Sequence, residues 1–233
     1  MNTQNTWKRI RLERVSSTNE FAKERRSAGE NLIVTAARQT GGRGTKGRSF
    51  SSGVGGVYLS KLTFHEDFPA KDAFLLMAGA AAAVCKTLEF YRVKPVIKWV
   101  NDIYVNDKKI CGILIENVFS GSNIASSVVG IGLNINSQLP EELKGIATTL
   151  QKETGKSVPV EEVTERLIEE LSRVPNMEDY LSRIGYMGKK ATVVLGDERI
   201  PATLLSVDNE GGLWVEINGK RRRFHAAEVS LKL

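Results

Sequence analysis

Hydrophobic and polar residues alternate loosely over residues 7–15, and residues 31–37 are rich in β-forming residues. Strands are predicted over residues 7–15, 31–37 and 54–64. Between the first two strands, Ser17 and Glu20 have the spacing of a capping box, which predicts a short helix that ends near residue 26. The N-terminal part therefore mixes strands with a helix around one core.

The period of the apolar positions changes further along the chain. Residues 73–90 are apolar on nearly every side, which predicts a buried helix. Strands are predicted over residues 96–99, 103–105, 110–118 and 124–135, of which the first is short and the last is long. Apolar residues then recur at helical spacing from 140 to 186, and beyond Gly188 four short strand patterns are separated by turn residues.

We therefore predict an α+β fold with two domains. A main domain over residues 1–185 would hold a mixed sheet flanked by helices, and residues 186–233 would form a small β-barrel. A barrel of this size buries little apolar surface by itself, so we expect it to dock against the main domain.

The composition is that of an ordinary globular protein, with 41% hydrophobic and 26% charged residues. No apolar run approaches the ~20 residues that cross a bilayer, and the N-terminus lacks the apolar segment of a signal peptide. We therefore expect no membrane association. Cys85 and Cys111 have no metal-ligand spacing, which favours reduced thiols and a cytoplasmic location.

Positive charge is concentrated in two places, within a formal net charge of +6. The first is residues 38–48, which include most of the loop GGRGTKGRSF at 41–50. The second is the run KRRR at 220–223, where a solvated surface is the plainer interpretation. Glycines let backbone N–H groups approach an anion, and arginines add charge-assisted hydrogen bonds, so the loop suits a polyanion. A flexible surface loop without a ligand is the alternative that these residues leave open.

Residues 98–116 read KWVNDIYVNDKKICGILIE and predict a strand, a turn and a second strand. Among its polar residues are Lys98, Lys109, the amide of Asn101 and the carboxylate of Asp102. Such a set suits a magnesium nucleotide, and the alternative is a charged hairpin with Trp99 in the core. In residues 129–136, two glycines permit close backbone approach, and Asn134 could either bind a ligand or lie in a turn.

Taken together, these stretches resemble the biotin protein ligases. The resemblance rests on five motifs in chain order: STN at 17–19, Gln39 with GRGTKGR at 42–48, KWVND at 98–102, KICGILIE at 109–116 and GIGLN at 130–134. It covers nearly the whole chain. It implies a class II synthetase-like catalytic domain with an SH3-like C-terminal domain.

The resemblance also implies a role for each matching residue. Residues that would contact biotin are Ser17, Thr18, Asn19, Gln39, Arg43, Gly44, Thr45, Lys109 and Gly112. Residues that would contact ATP are Arg48, Lys98, Trp99, Asn101, Asp102 and Asn134, with Asp102 also on the Mg²⁺ side. Catalysis would rest on Lys109, Arg43 and Arg48. From the C-terminal domain, Glu228 and Lys232 would lean over the nucleotide.

The implied reaction joins biotin to a protein. ATP would activate biotin as biotinyl-5′-AMP, and the biotinyl group would pass to a lysine of a biotin carboxyl carrier domain. Ser17 is reached after only 16 residues, which leaves no room for the DNA-binding domain that some family members carry. We therefore expect a ligase without repressor function, which acts as a monomer or a homodimer and does not bind DNA.

Two positions depart from the family's usual motifs. Thr45 stands where an arginine usually follows GRG, so Lys46 or Arg48 would have to retain the adenylate in its place. Otherwise the enzyme would release more of the intermediate. Val100 replaces the proline of KWPND, which concerns the stiffness of the turn rather than its chemistry.

Two other functions compete with this interpretation. Lipoate ligases and octanoyltransferases share the catalytic fold and use a lysine like Lys109, but their motifs differ. A basic nucleic-acid-binding module would place the barrel and the run at 220–223 on phosphates. Against that module, acidic residues alternate with basic ones over most of the chain, and only 7% of residues are aromatic and able to stack on bases.

Overall fold

The computed structural model describes residues 7–226 and 228–232. The side chains of residues 46, 230 and 232 are outside that description, so the roles predicted for Lys46 and Lys232 lie outside the described residues. A large mixed sheet with helices and a small antiparallel sheet make up the described chain, which confirms the predicted α+β fold.

Seven strands form the larger sheet. They are β1 (Lys8–Val15), β2 (Leu32–Gln39), β3 (Gly56–Phe64), β4 (Val96–Lys98), β5 (Asp102–Val105), β6 (Lys108–Ser120) and β7 (Asn123–Asn134). Their order is β1-β2-β3-β7-β6-β5-β4, in which β1 and β2 are parallel and the other neighbours antiparallel. Because parallel strands end at the same edge, the residues that follow Val15 and Gln39 meet there.

Among the described residues, five α-helices accompany the sheet. They are α1 (Thr18–Lys23), α2 (Phe74–Phe90), α3 (Leu150–Thr154), α4 (Val160–Glu170) and α5 (Met177–Leu181). The predicted buried helix is α2, whose alanines lie in the core of the protein. Contrary to the sequence expectation, Ala70–Phe90 is long and apolar enough to cross a membrane by length and composition, but half of this segment's apolar window is buried inside the protein.

The smaller sheet has five strands, one more than the sequence predicts. They are β8 (Lys190–Leu195), β9 (Glu198–Val207), β10 (Leu213–Ile217), β11 (Lys220–Phe224) and β12 (Val229–Lys232). Their order is β11-β10-β9-β8-β12, with antiparallel pairs throughout. The missed strand is β12, which has too few residues for a clear pattern and forms by pairing with β8. This sheet is compatible with the predicted SH3-like domain.

One apolar core runs through both sheets, since Trp99 and Val215 belong to the same packed cluster. At the junction, Nε1 of Trp99 donates to the carbonyl oxygen of Gly211 at 3.0 Å. Gly211 has a φ of +80°, and a Cβ there would collide with the ring of Phe74, so glycine is required. Because the core is shared, the domain boundary at residue 185 stays a prediction.

Asp208 holds the loop that carries Gly211. Its carboxylate accepts hydrogen bonds from the backbone N–H of Gly212 at 2.8 Å and from Nε1 of Trp214 at 3.0 Å. Nε of Arg223 donates to the same carboxylate at 2.6 Å. The Arg223 guanidinium is the main reason that the pKa of Asp208 lies well below its usual range. The shape of the junction loop therefore depends on one ionised carboxylate.

We expect Asp208→Ala to lower the free energy of unfolding by about 1–3 kcal/mol at pH 7, because several donors lose their acceptor. Urea unfolding followed by tryptophan fluorescence measures the change. Since the folded-state pKa is lowered, the stabilisation is present above the ordinary aspartate pKa and is lost as the pH falls toward the folded value. The difference between variant and wild type should therefore shrink below about pH 4.

The control for this prediction is Asp197→Ala, which removes an exposed carboxylate from the turn between β8 and β9. Its free energy of unfolding should stay within about 0.5 kcal/mol of wild type, as for most surface substitutions. Equal losses in the two variants would contradict the role assigned to Asp208.

Candidate active site

The start of α1 and the end of β2 form a polar corner. Ser17 caps α1, and its side chain accepts from the backbone N–H of Glu20 at 3.5 Å. The backbone N–H of Thr18 donates to Oε1 of Gln39 at 2.8 Å. Because that oxygen accepts, Nε2 of Gln39 faces the Ser52 hydroxyl and donates to it at 2.9 Å. A backbone donor thus fixes the orientation of the Gln39 amide.

A buried network holds Asn19 beside the polar corner. Its Nδ2 donates to Oε2 of Glu116 at 2.9 Å, and the Ser60 hydroxyl lies 2.6 Å from its Oδ1. The other carboxylate oxygen of Glu116 accepts from Nζ of Lys23 at 2.8 Å. Burial acts to raise the pKa of Glu116, but the hydrogen bonds from Lys23 and Asn19 outweigh it and lower the pKa. Glu116 is therefore an ionised acceptor.

Three glycines, Gly112, Gly130 and Gly132, line a cleft beside this corner and form a surface called here the glycine floor. Gly112 of β6 pairs with Gly132 of β7, and the ring of Phe50 lies over both. A Cβ on Gly132 would lie 2.5 Å from the nearest ring atom, and a Cβ on Gly130 would collide with the Asn19 side chain. These glycines therefore permit close approach, as the sequence predicts for residues 129–136.

Lys109 and Gly112 share a face of β6 although they are three positions apart, which in a regular strand would put them on opposite faces. The register with β5 shifts between them, so Ile110 has no partner on β5. This bulge places both Ile110 and Cys111 in the core. It also brings Nζ of Lys109 to 3.1 Å from the point where a Cβ of Gly112 would lie.

Cationic side chains gather at the far end of the glycine floor. Nζ of Lys109 forms an ion pair with Oδ1 of Asp102 at 2.7 Å. Nζ of Lys98 lies 5.1 Å from the ring centre of Tyr104. Burial lowers the pKa of Lys98; Asp102 opposes this effect, and the neighbouring cations add to it. A partly buried cation of this kind is stabilised when an anion binds beside it.

The glycine loop carries two arginines into the cleft. Arg43 is exposed, and its Nη1 pairs with Oε1 of Glu20 at 2.7 Å. Arg48 donates from Nη2 to the Thr45 hydroxyl at 2.9 Å and from Nε to the Thr45 carbonyl at 3.2 Å. Thr45, the residue that departs from the family motif, therefore holds Arg48 within the loop.

Two cavities meet at these residues. The smaller, of about 310 Å³, is lined by the polar corner, the glycine floor and the loop. The larger, of about 1090 Å³, opens between the two sheets. The residues that line both are Thr45, Arg48, Asn101, Lys109 and Leu114. The cleft is therefore continuous, and cations lie where its two halves join.

Most of the predicted site residues line this cleft. Those in the smaller cavity are Ser17, Thr18, Asn19, Gln39, Arg43, Gly44, Thr45, Lys109 and Gly112. Those in the larger cavity are Arg48, Lys98, Trp99, Asn101 and Asp102. Asn134 lines neither, because it is buried and its Nδ2 donates to the carbonyl oxygen of Thr148 at 3.2 Å. The Glu228 carboxylate accepts from the backbone N–H of His225 at 2.6 Å and does not line the larger cavity.

Sequence reasoning missed several residues of the cleft. They include Phe50, Tyr104, Leu143, Ile146 and His225. An aromatic residue at the end of the cationic glycine loop was a signal for Phe50. No local signal existed for Ile146, which reaches the site because its carbonyl accepts the backbone N–H of Lys109 at 2.9 Å.

Comparisons with known proteins agree with this site. The profile of the Biotin/lipoate A/B protein ligase family matches residues 12–134. The bifunctional ligase/repressor BirA of Bacillus subtilis is 32% identical over 236 residues, which cover 93% of this chain and 72% of that protein. The biotin–[acetyl-CoA-carboxylase] ligase of Paracoccus denitrificans is 28% identical, with 94% of this chain and 98% of that protein covered.

The fold is shared with solved structures as well. The biotin protein ligase from Aquifex aeolicus in complex with biotin and ATP superimposes with a TM-score of 0.78, at 31% identity over 96% of this chain and 98% of that one. The chain therefore belongs to the biotin/lipoate A/B protein ligase family, and its relatives place it among the biotin protein ligases. The family and fold predicted from the five motifs are confirmed.

We expect Gly132→Ala to lower the free energy of unfolding by about 1–3 kcal/mol, because its Cβ would displace the ring of Phe50. In a Phe50→Ala background the ring is gone, so the same change should cost less. Urea unfolding of the four proteins gives the coupling energy, expected at about 0.5–3 kcal/mol.

The matched control for this cycle is Gly53→Ala, because an added Cβ there meets nothing within 4 Å. Its effect should simply add to that of Phe50→Ala. Additive behaviour of Gly132→Ala as well would show that Phe50 does not rest on this floor.

Proposed function

We propose that this protein activates biotin with ATP in the continuous cleft and transfers the biotinyl group to a lysine of a carrier domain. The observation that carries the proposal is the layout of the cleft, with a neutral polar corner at one end and cations at the junction of the cavities. Biotin matches this layout, since it has a neutral ureido head and a carboxylate on a flexible chain. The biotin and ATP bound by the Aquifex aeolicus relative support this assignment.

The ureido head of biotin would lie in the polar corner. A buried ureido group needs partners for both its N–H groups and its carbonyl oxygen, and Thr18, Asn19 and Gln39 offer donors and acceptors there. The aliphatic chain would cross the glycine floor, where no Cβ narrows the cavity. Its carboxylate would then reach Lys109.

The first chemical step brings two anions together. An oxygen of the biotin carboxylate attacks the α-phosphorus of ATP, the bond to the bridging oxygen breaks, and biotinyl-5′-AMP and pyrophosphate form. Lys109 lines both cavities, so its ammonium group can contact the carboxylate and the α-phosphate at once. Arg48 and Lys98 would hold the remaining phosphates and stabilise the charge that grows on them.

The adenosine would lie in the larger cavity, between α2 and the smaller sheet. Trp99 and Phe74 line this space and supply apolar surface for a nucleobase. Asn101 lies where the cavities join, although its Nδ2 already donates to the carbonyl oxygen of Ile113 at 2.8 Å. Asn134 would have to give up its bond to Thr148 before it could contact the nucleotide.

Magnesium would enter with the phosphates of ATP. Within residues 7–226 and 228–232, no group of three or more His, Cys, Asp or Glu side chains is placed to hold a metal ion. Asp102 lies beside the lysine, with one oxygen paired to it. One carboxylate together with phosphate oxygens is a common ligand set for Mg²⁺, so Asp102 fits the role. The ion would add positive charge beside the phosphates.

In the second step, the neutral amine of a carrier lysine attacks the carbonyl carbon of the mixed anhydride. The bond from that carbon to the phosphate oxygen breaks, AMP leaves, and the amine loses a proton. The acceptor would be a biotin carboxyl carrier domain, in keeping with the acetyl-CoA carboxylase named for the Paracoccus denitrificans relative. The glycine loop would close over the adenylate and exclude water. Because residues of a single chain line both cavities, a monomer would suffice for the reaction.

Lipoate, the acid of the wider family, fits this cleft less well. Its dithiolane ring carries no N–H or C=O group, so the buried donors and acceptors of the polar corner would be left unpaired. Nucleic-acid binding by the run at 220–223 is also disfavoured. Arg223 of that run is paired with Asp208 and Glu210 at 2.6 and 2.7 Å.

We expect Lys109→Met to reduce biotin-dependent exchange of labelled pyrophosphate into ATP by at least about 100-fold, because a cation at the reacting centre is lost. The neighbouring Lys108→Met is the matched control, since Lys108 is exposed in the same hairpin and lines neither cavity. Equal loss in both variants would remove Lys109 from the mechanism. Exchange that depends on lipoate rather than biotin would reassign the substrate.

We expect Thr45→Arg to release biotinyl-5′-AMP about two- to tenfold more slowly than wild type, because a further cation faces the intermediate. Chromatography of free biotinyl-5′-AMP, formed without a carrier domain, measures the rate. Thr45→Ser keeps the hydroxyl that binds Arg48 and should behave as wild type. Release from Thr45→Arg that is as fast as from wild type would refute the idea that this loop leaks.

A further inference from the structure

Behind the polar corner lies an ion pair that the proposed reaction does not use. Glu116 lines neither cavity, and its carboxylate accepts from Asn19 at 2.9 Å and from Lys23 at 2.8 Å. Asn19 is buried and lines the smaller cavity. We propose that Glu116, held by Lys23, is a positioning residue that fixes which end of the Asn19 amide faces the ureido head of biotin. This inference rests on the proposed function and extends it to the specificity for biotin.

An amide side chain has two orientations, and its neighbours decide between them. Oε2 of Glu116 can only accept, so Nδ2 of Asn19 faces it. Oδ1 of Asn19 then faces the Ser60 hydroxyl at 2.6 Å. Because Nδ2 carries two hydrogens and Glu116 takes one, Asn19 keeps one N–H that it can offer to the ureido oxygen.

Lys23 supports this orientation but does not select it. Its ammonium group binds Oε1 of Glu116 at 2.8 Å and Oε1 of Glu20 at 2.7 Å. Burial acts to lower the pKa of Lys23, but its hydrogen bonds to both glutamates outweigh burial and raise the pKa. The lysine therefore stays charged and keeps Glu116 ionised, whereas the acceptor character of Glu116 orients Asn19.

The other neighbours of Asn19 would tolerate either orientation. Ser60 is fully buried, and its hydroxyl lies 2.8 Å from the Thr18 hydroxyl as well as beside Asn19. A serine hydroxyl can accept or donate, so Ser60 would satisfy a flipped amide too. Gly130 packs against the amide without a polar side chain. Glu116 is thus the neighbour that makes the choice.

Glu116→Gln tests this choice without a change in side-chain size. With Lys23 present, the new amide would turn its oxygen to the ammonium group and its NH₂ to Asn19. Since two NH₂ groups cannot hydrogen-bond to each other, Asn19 would flip and present Oδ1 to the ureido oxygen. Lys23→Met in the same protein frees the glutamine oxygen to face Asn19, which restores the original orientation.

The experiment measures KM and kcat for biotin in pyrophosphate exchange with wild type, Glu116→Gln, Lys23→Met and the double variant. We expect Glu116→Gln to raise KM roughly tenfold with kcat within about twofold, as the loss of one hydrogen bond to a bound ligand gives. Lys23→Met should stay within about threefold of wild type. In the double variant, KM for biotin should return most of the way to the wild-type value.

A purely structural ion pair predicts a different pattern. Lys23→Met would then impair the protein as much as Glu116→Gln, and the double variant would be no better than either; each result overturns the inference. If Glu116→Gln alone does not fold, the double variant is the deciding measurement. A near-wild-type KM for the double variant supports the inference, and a double variant that is also unfolded overturns it. Wild-type protein without biotin-dependent exchange would instead overturn the proposed function, and the inference with it.

Discussion

The ion pair between Lys109 and Asp102 is the interaction on which the cleft depends. Cations repel one another, so carboxylates and hydrogen-bond acceptors beside them stabilise the cleft when no ligand is bound. Asp102 holds Lys109 at 2.7 Å, Glu20 holds Arg43 at 2.7 Å, and Thr45 holds Arg48 through two hydrogen bonds. The contacts of Arg48 are exposed and therefore weak, so phosphates can displace them at small cost.

The neutral end of the cleft depends on directed hydrogen bonds. A backbone N–H orients Gln39, and an ionised Glu116 orients Asn19, so the corner offers a fixed set of donors and acceptors. The glycines lie between this corner and Lys109, since Gly130 faces Asn19 and Gly112 faces Lys109. An acid whose neutral polar head and carboxylate are joined by an aliphatic chain matches both ends of the cleft. The cleft therefore suits biotin better than lipoate.

The larger cavity exists because the two sheets share a core. Trp99 donates to the Gly211 carbonyl, and Gly211 packs on Phe74. Asp208 holds the loop that carries Gly211. The larger cavity is therefore a space between packed elements rather than a sequence motif. Its shape follows from a contact that links residues far apart in the chain.

The sequence by itself determined the order of the strands and helices except β12, the five motifs and, with them, the family, because these are local patterns of apolar period, turn residues and spacing. It also located the glycine loop, the glycines of β6 and β7, and the cations. Only the tertiary structure decided that a bulge at Ile110 puts Lys109 and Gly112 on one face, that Asn134 is buried against Thr148, and that Ile146 reaches the site. Those outcomes depend on register and long-range packing, which a local pattern does not encode.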